Sequence, residues 1–577
     1  MFLITHLLRF SVRHPRVVVT IAGVVTVCAL VFIPRIQLRL DGRSLIPSNL
    51  PQFAEGDRAA SRFELRDLVL IGVGNESGIY TPETLQRIAR LSDGLSRVDG
   101  IVPDSVLSLS TVPRLTLVDD KVETSPLFQP DQLNKEAIVQ LRRDLGRQAY
   151  DTGLLASRDG KGAAIIAKVQ PGADRFRLLE RTRSLIASES NGKDSIYLSG
   201  SALAQAVLGE ATARDLARLI PAVIAVLGVM LFLSFRHPVP ALLSLTEIGV
   251  SLIWMSGLMG FTGQPVFVTT LVLPVVLICV GVSDDVYALG HYFNEAGHAS
   301  VEETIVAAFS SATRPIATTA VSTIVGLLSM AAVSLNPLRV FGLFGAAAIV
   351  FSTLFTFSLL PALLALLKPT VHSKGEALGG RPTASALRFL TGWATPRRVA
   401  FCALLVAVCA VVATTRLRVD DSWIRNLPTE SDIVRGDRFF NEKMAGTTAL
   451  ELMVDATHGG WFNSKEGMSA LGSLEWVLAR VPYVGAVDSV FNDMVRTNAS
   501  LVDGLSYGVY RAALRTGRFP LRQEDVESAL KVLSHSTQAP LRERVDDEQR
   551  LARVTVFIRD ADYSRIDNVL RAAERET

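Results

Sequence analysis

Seven apolar runs set the terms on which this chain can fold. A helix crosses a bilayer in about 20 predominantly apolar residues. Runs of that kind lie at 17–34, 219–235, 239–261, 267–290, 315–335, 340–367 and 399–415. The chain cannot be membrane throughout, because 20% of its 577 residues are charged. A mean hydropathy of +0.32 therefore predicts spans alternating with polar domains. The first run reads as a retained anchor. It is long for a signal-peptide core, and Pro34-Arg35 follows it where a cleavage site would carry small residues.

Positive charge beside short loops orients the spans. Arg9, Arg13 and Arg16 precede the first one. Lys368, Lys374, Arg381, Arg388, Arg397 and Arg398 face a single acid, Glu376, around the loop before the seventh. Both ends read as cytoplasmic, with six spans between them. The 291–314 loop runs mildly against this, with Glu295, Glu302 and Glu303 against Arg314. The expected organisation is an N-terminus with the first span (1–35), an extracytoplasmic α+β domain (36–215) and a five-span bundle (216–368). A cytoplasmic linker (369–397), a seventh span (398–416) and a second extracytoplasmic α+β domain (417–577) follow.

Within the first polar domain, Leu68–Val73, Ile101–Leu109, Ala163–Val169 and Ile196–Leu198 read as strands, and about 81–97, 133–147 and 174–189 as helices. The helix at 201–218 is expected to continue into the second span. In the second domain, Leu450–Val454, Val484–Val490 and Ala552–Ile558 read as strands, with helices near 464–480 and 560–575.

The two halves repeat at a shift of 381 residues. Arg13-His14-Pro15-Arg16 corresponds to Ala394-Thr395-Pro396-Arg397, Arg35 to Arg416, and Leu45-Ile46-Pro47 to Asn426-Leu427-Pro428. Such self-similarity marks transporters built from structural repeats. The same shift places the counterpart of the second span near residue 597, so a longer protein with further spans is expected.

The chemistry is concentrated in few residues. A net charge of +3, without aromatics interleaved among the basic residues, argues against nucleic-acid binding. Cys28, Cys279, Cys402 and Cys409 all lie in apolar runs, so the polar segments carry no disulfides. No CxxC, Cys/His cluster, P-loop or nucleophile elbow occurs, and no metal, cofactor or enzymatic activity is expected. His458 beside Gly459-Gly460 reads as a loop histidine.

Inside the spans stand three charges: Glu247, Asp284 and Asp285. A charged side chain at membrane depth costs roughly 2.5 kcal/mol or more, so such residues are usually functional. Two carboxylates as close as Asp284 and Asp285 do not readily both ionise in a low dielectric, a property that suits a proton carrier. A helix from Leu271 to Phe293 would hold the pair near its middle. Glu247, about 12 Å into its span at 1.5 Å per residue, has no like-charged neighbour in the sequence, and reads either as a secondary functional site or as a group that snorkels or pairs with a hydroxyl. Thr318, Thr319, Ser322 and Thr323 crowd the fifth span as helix-packing groups or relay groups. Gly281 and Ser283 permit close helix approach, Pro274 is placed to kink the fourth span, and Tyr287 and His291 read as interfacial anchors.

The block Gly281-Val282-Ser283-Asp284-Asp285-Val286-Tyr287, with His291-Tyr292-Phe293, resembles the GxxxDD signature of the RND superfamily, in particular the Patched, Dispatched and bacterial MMPL-like exporter branch. Arg314-Pro315, Thr318-Thr319, Ser322-Thr323, Gly326–Ser329, Phe341-Gly342-Leu343 and Leu360–Leu364 extend the likeness. It implies a multi-pass inner-membrane α-helical bundle with inserted porter-type, ferredoxin-like α+β domains: an RND half-transporter plus the start of a second repeat. It further implies Asp284 and Asp285 as proton-relay acids, and protons, membrane lipids and a hydrophobic or lipid-like cargo as partners. A homo-oligomer is compatible with it. The polar segments are shorter than those of tripartite multidrug pumps, which favours lipid or hopanoid-like cargo. The rival readings are a lipid sensor with a sterol-sensing-type bundle and a protein-translocation accessory of the SecDF type. A buried acid pair suits the sensor poorly, and two polar segments of similar size suit the accessory less well.

Overall fold

A computed structural model of the chain describes residues 2–39, 51–118, 121–147, 153–190, 192–235, 238–267, 269–295, 300–368, 395–416, 424, 427–501, 521–534, 541–560 and 562–576. Much of the 369–397 linker and the Leu45-Ile46-Pro47 end of the repeat lie outside these. The chain begins with helices α1 (Phe2–Arg13) and α2 (Pro15–Phe32), strand β1 (Leu38–Arg39) and α3 (Pro51–Arg62). The first polar segment continues with β2 (Leu68–Gly74), α4 (Pro82–Ser96), the hairpin β3 (Pro113–Val118) and β4 (Lys121–Pro126), α5 (Lys135–Arg147), β5 (Gly162–Lys168), α6 (Arg175–Glu189) and β6 (Ser195–Ser199). Then come α7 (Ser201–Phe235), α8 (Pro238–Thr262), β7 (Val266–Phe267), α9 (Leu273–Glu295), α10 (Val301–Ser329), α11 (Asn336–Phe357), α12 (Leu359–Leu367) and α13 (Pro396–Thr414). The last part holds α14 (Asp432–Lys443), β8 (Thr448–Asp455), α15 (Lys465–Leu478), β9 (Val484–Ser489), α16 (Val490–Leu501), α17 (Gln523–Ser534), β10 (Leu551–Ile558) and α18 (Tyr563–Glu576).

Contacts divide the chain into one body of residues 1–50 and 212–417 and another of 51–211 and 418–577. The first body is the helix bundle. Seven helices among the described residues are long and apolar enough to cross a membrane, one at each of the seven apolar runs. Gly257 and Gly260 let α8 lie against α2: a Cβ on Gly260 would stand 2.0 Å from the Phe32 carbonyl oxygen. Small residues at such crossings are how helices approach closely where lipid supplies no hydrophobic drive. Helix α10 starts earlier than its apolar run. Ser300 caps it in a reciprocal box with Glu303, which places Glu302 and Glu303 in a first turn where the helix dipole favours acids. Their presence there has a helical cause, so it weighs little on loop orientation. Pro274 sits in the first turn of α9, where a missing N–H leaves no hydrogen bond unmade, and so it does not kink the span. Helix α1, unforeseen from the sequence, buries Leu8 and Val12 against α9, α10 and α12.

The second body contains two three-stranded antiparallel sheets, ordered β5-β2-β6 and β8-β10-β9. On the first sheet, Leu85, Ile88, Leu91 and Leu95 of α4 and Leu178 and Leu179 of α6 cover Val69, Ile71 and Val73, the stripe expected of half-buried helices. The strand expected at 101–109 shrinks to bridges from Ile101 to Val169 and from Leu107 to Ile166. A 3₁₀ turn at Pro103–Ser105 interrupts it, proline having no N–H to give to a ladder.

The other face of this sheet is covered from far along the chain. Helix α14, capped by Ser431, lays Phe439 and Phe440 on Leu70 and Ala164. Phe439 stacks on Tyr197 with ring centroids 4.3 Å apart. Arg183 of α6 grips Asp432 at the start of α14 through two hydrogen bonds, of 2.6 and 3.0 Å, and reaches Glu210 of α7 at 3.1 Å. The repeat partner of α14 behaves reciprocally: Arg62, at the end of α3, bonds Asp546 next to the second sheet at 2.9 Å. Both α3 and α14, and likewise α2 and α13, start 381 residues apart. Contact between α14 and β6 depends on Gly436, whose Cβ would stand 1.9 Å from the Leu198 carbonyl oxygen. Gly436→Val is expected to lift α14 off the sheet and lower stability by about 1–3 kcal/mol, visible as earlier thermal unfolding and faster proteolysis near residue 436. An unchanged unfolding midpoint would refute this packing.

Beside the second sheet lies a buried charge cluster that the sequence did not betray. Arg544 meets Asp488 at 2.6 Å and Asp493 at 3.1 Å, and Arg496 meets both acids at 3.1 Å. Nearby, Glu475 of α15 accepts from the Ser489 hydroxyl, and from Asn492 at 2.7 Å. Burial pushes the Glu475 carboxyl up to about 8. A carboxyl raised in the folded state stabilises fully below its unfolded value near 4.5, and that contribution is lost as pH rises towards 8. Glu475→Gln is therefore expected to raise the thermal midpoint at pH 8.5 while leaving it nearly unchanged at pH 5. Equal shifts at both pH values would show that Glu475 is not buried as the neutral acid.

Candidate functional site

The three intramembrane acids sit on two antiparallel neighbours. Glu247 is the tenth residue of α8, and Asp284 and Asp285 lie at the middle of α9. Because α8 and α9 run in opposite directions, a residue ten from the start of one stands level with a residue eleven from the end of the other. Consecutive residues on a helix do not share a face, so Asp284 and Asp285 diverge. Asp285 is fully buried and accepts a hydrogen bond from the Thr356 hydroxyl of α11 at 3.0 Å. Asp284 is 9% exposed and forms no hydrogen bond or ion pair among the described residues.

Glu247 is also fully buried. One of its oxygens accepts from the Ser251 hydroxyl at 3.2 Å, the hydroxyl pairing expected for it. The expected isolation from other acids is corrected: Glu247 and Asp285 face each other across the α8–α9 contact closely enough to interact. Hydroxyls complete the surroundings, Ser352 beside Glu247 and Ser244 beside Asp285. Gly281, one turn before Asp285, makes the convergence feasible, since a Cβ there would stand 2.9 Å from the Ser352 hydroxyl and 3.3 Å from Ile248. Gly281 thus has the close-approach role its sequence context suggested. No lysine, arginine or histidine pairs with any of the three acids among the described residues.

The remaining candidates lie elsewhere. Thr319, Ser322 and Thr323 each donate to a carbonyl of their own helix, at 2.9 Å, and among the described residues none hydrogen-bonds an acid. Helix α10 buries its other side, through Ala312, Ile316 and Ala320. Tyr287 is 44% exposed and packs edge-on against His291. The hydroxyls that do surround the acids, on Ser244, Ser251, Ser352 and Thr356, had a readable signal. Ser244 and Ser251 flank Glu247 at i−3 and i+4, and Ser352 and Thr356 are spaced i, i+4, so each set shares one helix face.

The described residues thus form a bundle of candidate membrane helices with three carboxylates at its centre. Residues 127–398 match the MMPL family. The matched stretch runs from the first polar segment through the second to sixth spans and includes Glu247, Asp284 and Asp285. Over that stretch the chain is similar to the MMPL family. A comparison with curated proteins gives no match.

Proposed function

We propose that this chain belongs to a proton-driven exporter of hydrophobic or lipid-like molecules, in which Asp284 and Asp285 carry the protons. It would lie in the inner membrane with its N-terminus in the cytoplasm and both polar segments outside, their βα lobes acting as porter-type, ferredoxin-like domains. The observation that carries this reading is Asp285: a fully buried carboxylate, halfway along an apolar helix, with no cation beside it among the described residues. Such a group is expensive to keep in a membrane and earns its place by exchanging a proton between the two faces. Soluble domains without disulfides or metal motifs, attached to spans that repeat, fit cargo handling better than catalysis.

The test uses proteoliposomes of the full-length protein carrying a fluorescent phospholipid analogue. An imposed pH gradient is expected to accelerate movement of the analogue across the membrane, and a protonophore to abolish the acceleration. Binding of the analogue with no response to the gradient would instead favour a lipid sensor.

A further inference from the structure

We infer that Glu247 and Asp285 hold a single proton between them, so that the acid group of this bundle is an interhelical carboxyl–carboxylate pair and not the two sequence neighbours Asp284 and Asp285. The inference rests on the proton-driven reading above and assigns its chemistry to a different pair of residues. Four observations carry it. The two carboxyl groups come from neighbouring antiparallel helices at the same level, and both are fully buried. Each has one oxygen occupied by a hydroxyl donor, Ser251 for Glu247 and Thr356 for Asp285. Each has its second oxygen, Glu247 Oε2 and Asp285 Oδ2, buried and without a hydrogen bond, and the hydroxyls of Ser244 and Ser352 beside them are likewise buried and unsatisfied. Among the described residues no cation pairs with either acid. Asp284 also bears on Asp285, and among the described residues the hydroxyls of Ser244, Ser251, Ser352 and Thr356 face the pair from α8 and α11.

Two ionised carboxylates in such a place would repel with little screening. Two neutral ones would leave no vacancy for an incoming proton. One proton lets either carboxyl donate to the other's free oxygen and removes both unmet acceptors at once, the arrangement two like acids adopt when they cannot both ionise. Because the shared proton bridges α8 and α9, losing it converts attraction between these helices into repulsion. Proton release is thereby tied to helix separation. Asp284, on the adjoining face and without a hydrogen bond among the described residues, is left to pass protons to or from the pair.

Dicyclohexylcarbodiimide, which attacks protonated carboxyl groups in apolar surroundings, reads this state independently of transport. With the full chain in nanodiscs at pH 7, peptide mass spectrometry is expected to find one adduct per chain, on Glu247 or Asp285. Glu247→Gln should cut labelling of Asp285 at least tenfold, because the glutamine amide can donate where the proton did. Asp285→Asn should do the same to Glu247. The swap Glu247→Asp with Asp285→Glu should restore labelling, since it conserves the pair. Asp285 labelling in Glu247→Gln at the wild-type level would overturn the shared proton, as would two adducts per wild-type chain at pH 7. In proton-flux measurements, an inactive Asp285→Asn beside a fully active Glu247→Gln would sink the pair and leave proton coupling intact. Wild-type flux in both would sink the pair and the proton-driven reading together.

Discussion

Asp285→Asn is expected to reduce proton-coupled transport by the full-length protein to background while the protein still inserts and folds. Asparagine keeps the shape of the side chain and can still accept from Thr356, but it cannot take up and release a proton. Removing a charge from mid-membrane relieves an insertion cost of roughly 2.5–3.5 kcal/mol, so expression and thermal stability should hold or rise. That separation of activity from stability is the discriminating feature. Asp284→Asn is expected to impair transport by the same chemistry. Transport by both variants at the wild-type rate, with an unchanged pH dependence, would make these acids structural and bring the sensing reading forward.

The largest effect on stability is expected at Arg544, far from those acids in sequence and role. Its guanidinium spans Asp488 and Asp493 in a cluster that is only 8–13% exposed at these three side chains. Burial alone would push Asp488 up, but Arg544 and Arg496 outweigh it and hold that carboxyl well below the usual range. Arg544→Met leaves two buried carboxylates to share Arg496, and breaking a buried pair in this way costs about 3–5 kcal/mol. Thermal unfolding should advance markedly. Arg544→Lys should recover little, because a lysine ammonium cannot reproduce the guanidinium fork. A loss below about 1 kcal/mol for Arg544→Met, within the ordinary range for a point substitution, would show that the cluster is hydrated and contributes little.

What was legible in the sequence was whatever local pattern determines. Spans follow from the length of apolar runs, and the strands at 68–74, 162–168, 448–455 and 551–558 follow from β-branched and aliphatic residues between turn signals. The acids stood out because charge is rare in such runs. What was not legible depended on register between distant elements. Adjacency in sequence suggested Asp284 with Asp285, whereas the antiparallel passage of α8 and α9 sets Asp285 against Glu247. No local pattern announces that Arg544 will meet Asp488, or that α14 will settle on a sheet formed by the other polar segment. The β3–β4 hairpin was missed for a different reason: Arg114-Leu115-Thr116-Leu117 alternates, but its partner strand on this two-stranded ribbon carries one aliphatic residue, Val122, too little to read as a half-buried strand.

The placement of α14 also bears on how the protein is made. The sheet β5-β2-β6 is complete in sequence by Ser199, yet the helix that covers its second face begins about 230 residues later. At synthesis rates of about 5–20 residues per second, Leu70, Ala164 and Tyr197 wait on the order of tens of seconds for Phe439 and Phe440. During that interval the second to seventh spans must all be delivered into the bilayer. The first lobe therefore spends its early life with an apolar sheet face uncovered, a state prone to association, and its maturation is scheduled by membrane insertion of the segments in between. Any delay in that insertion lengthens the time for which this face needs a chaperone.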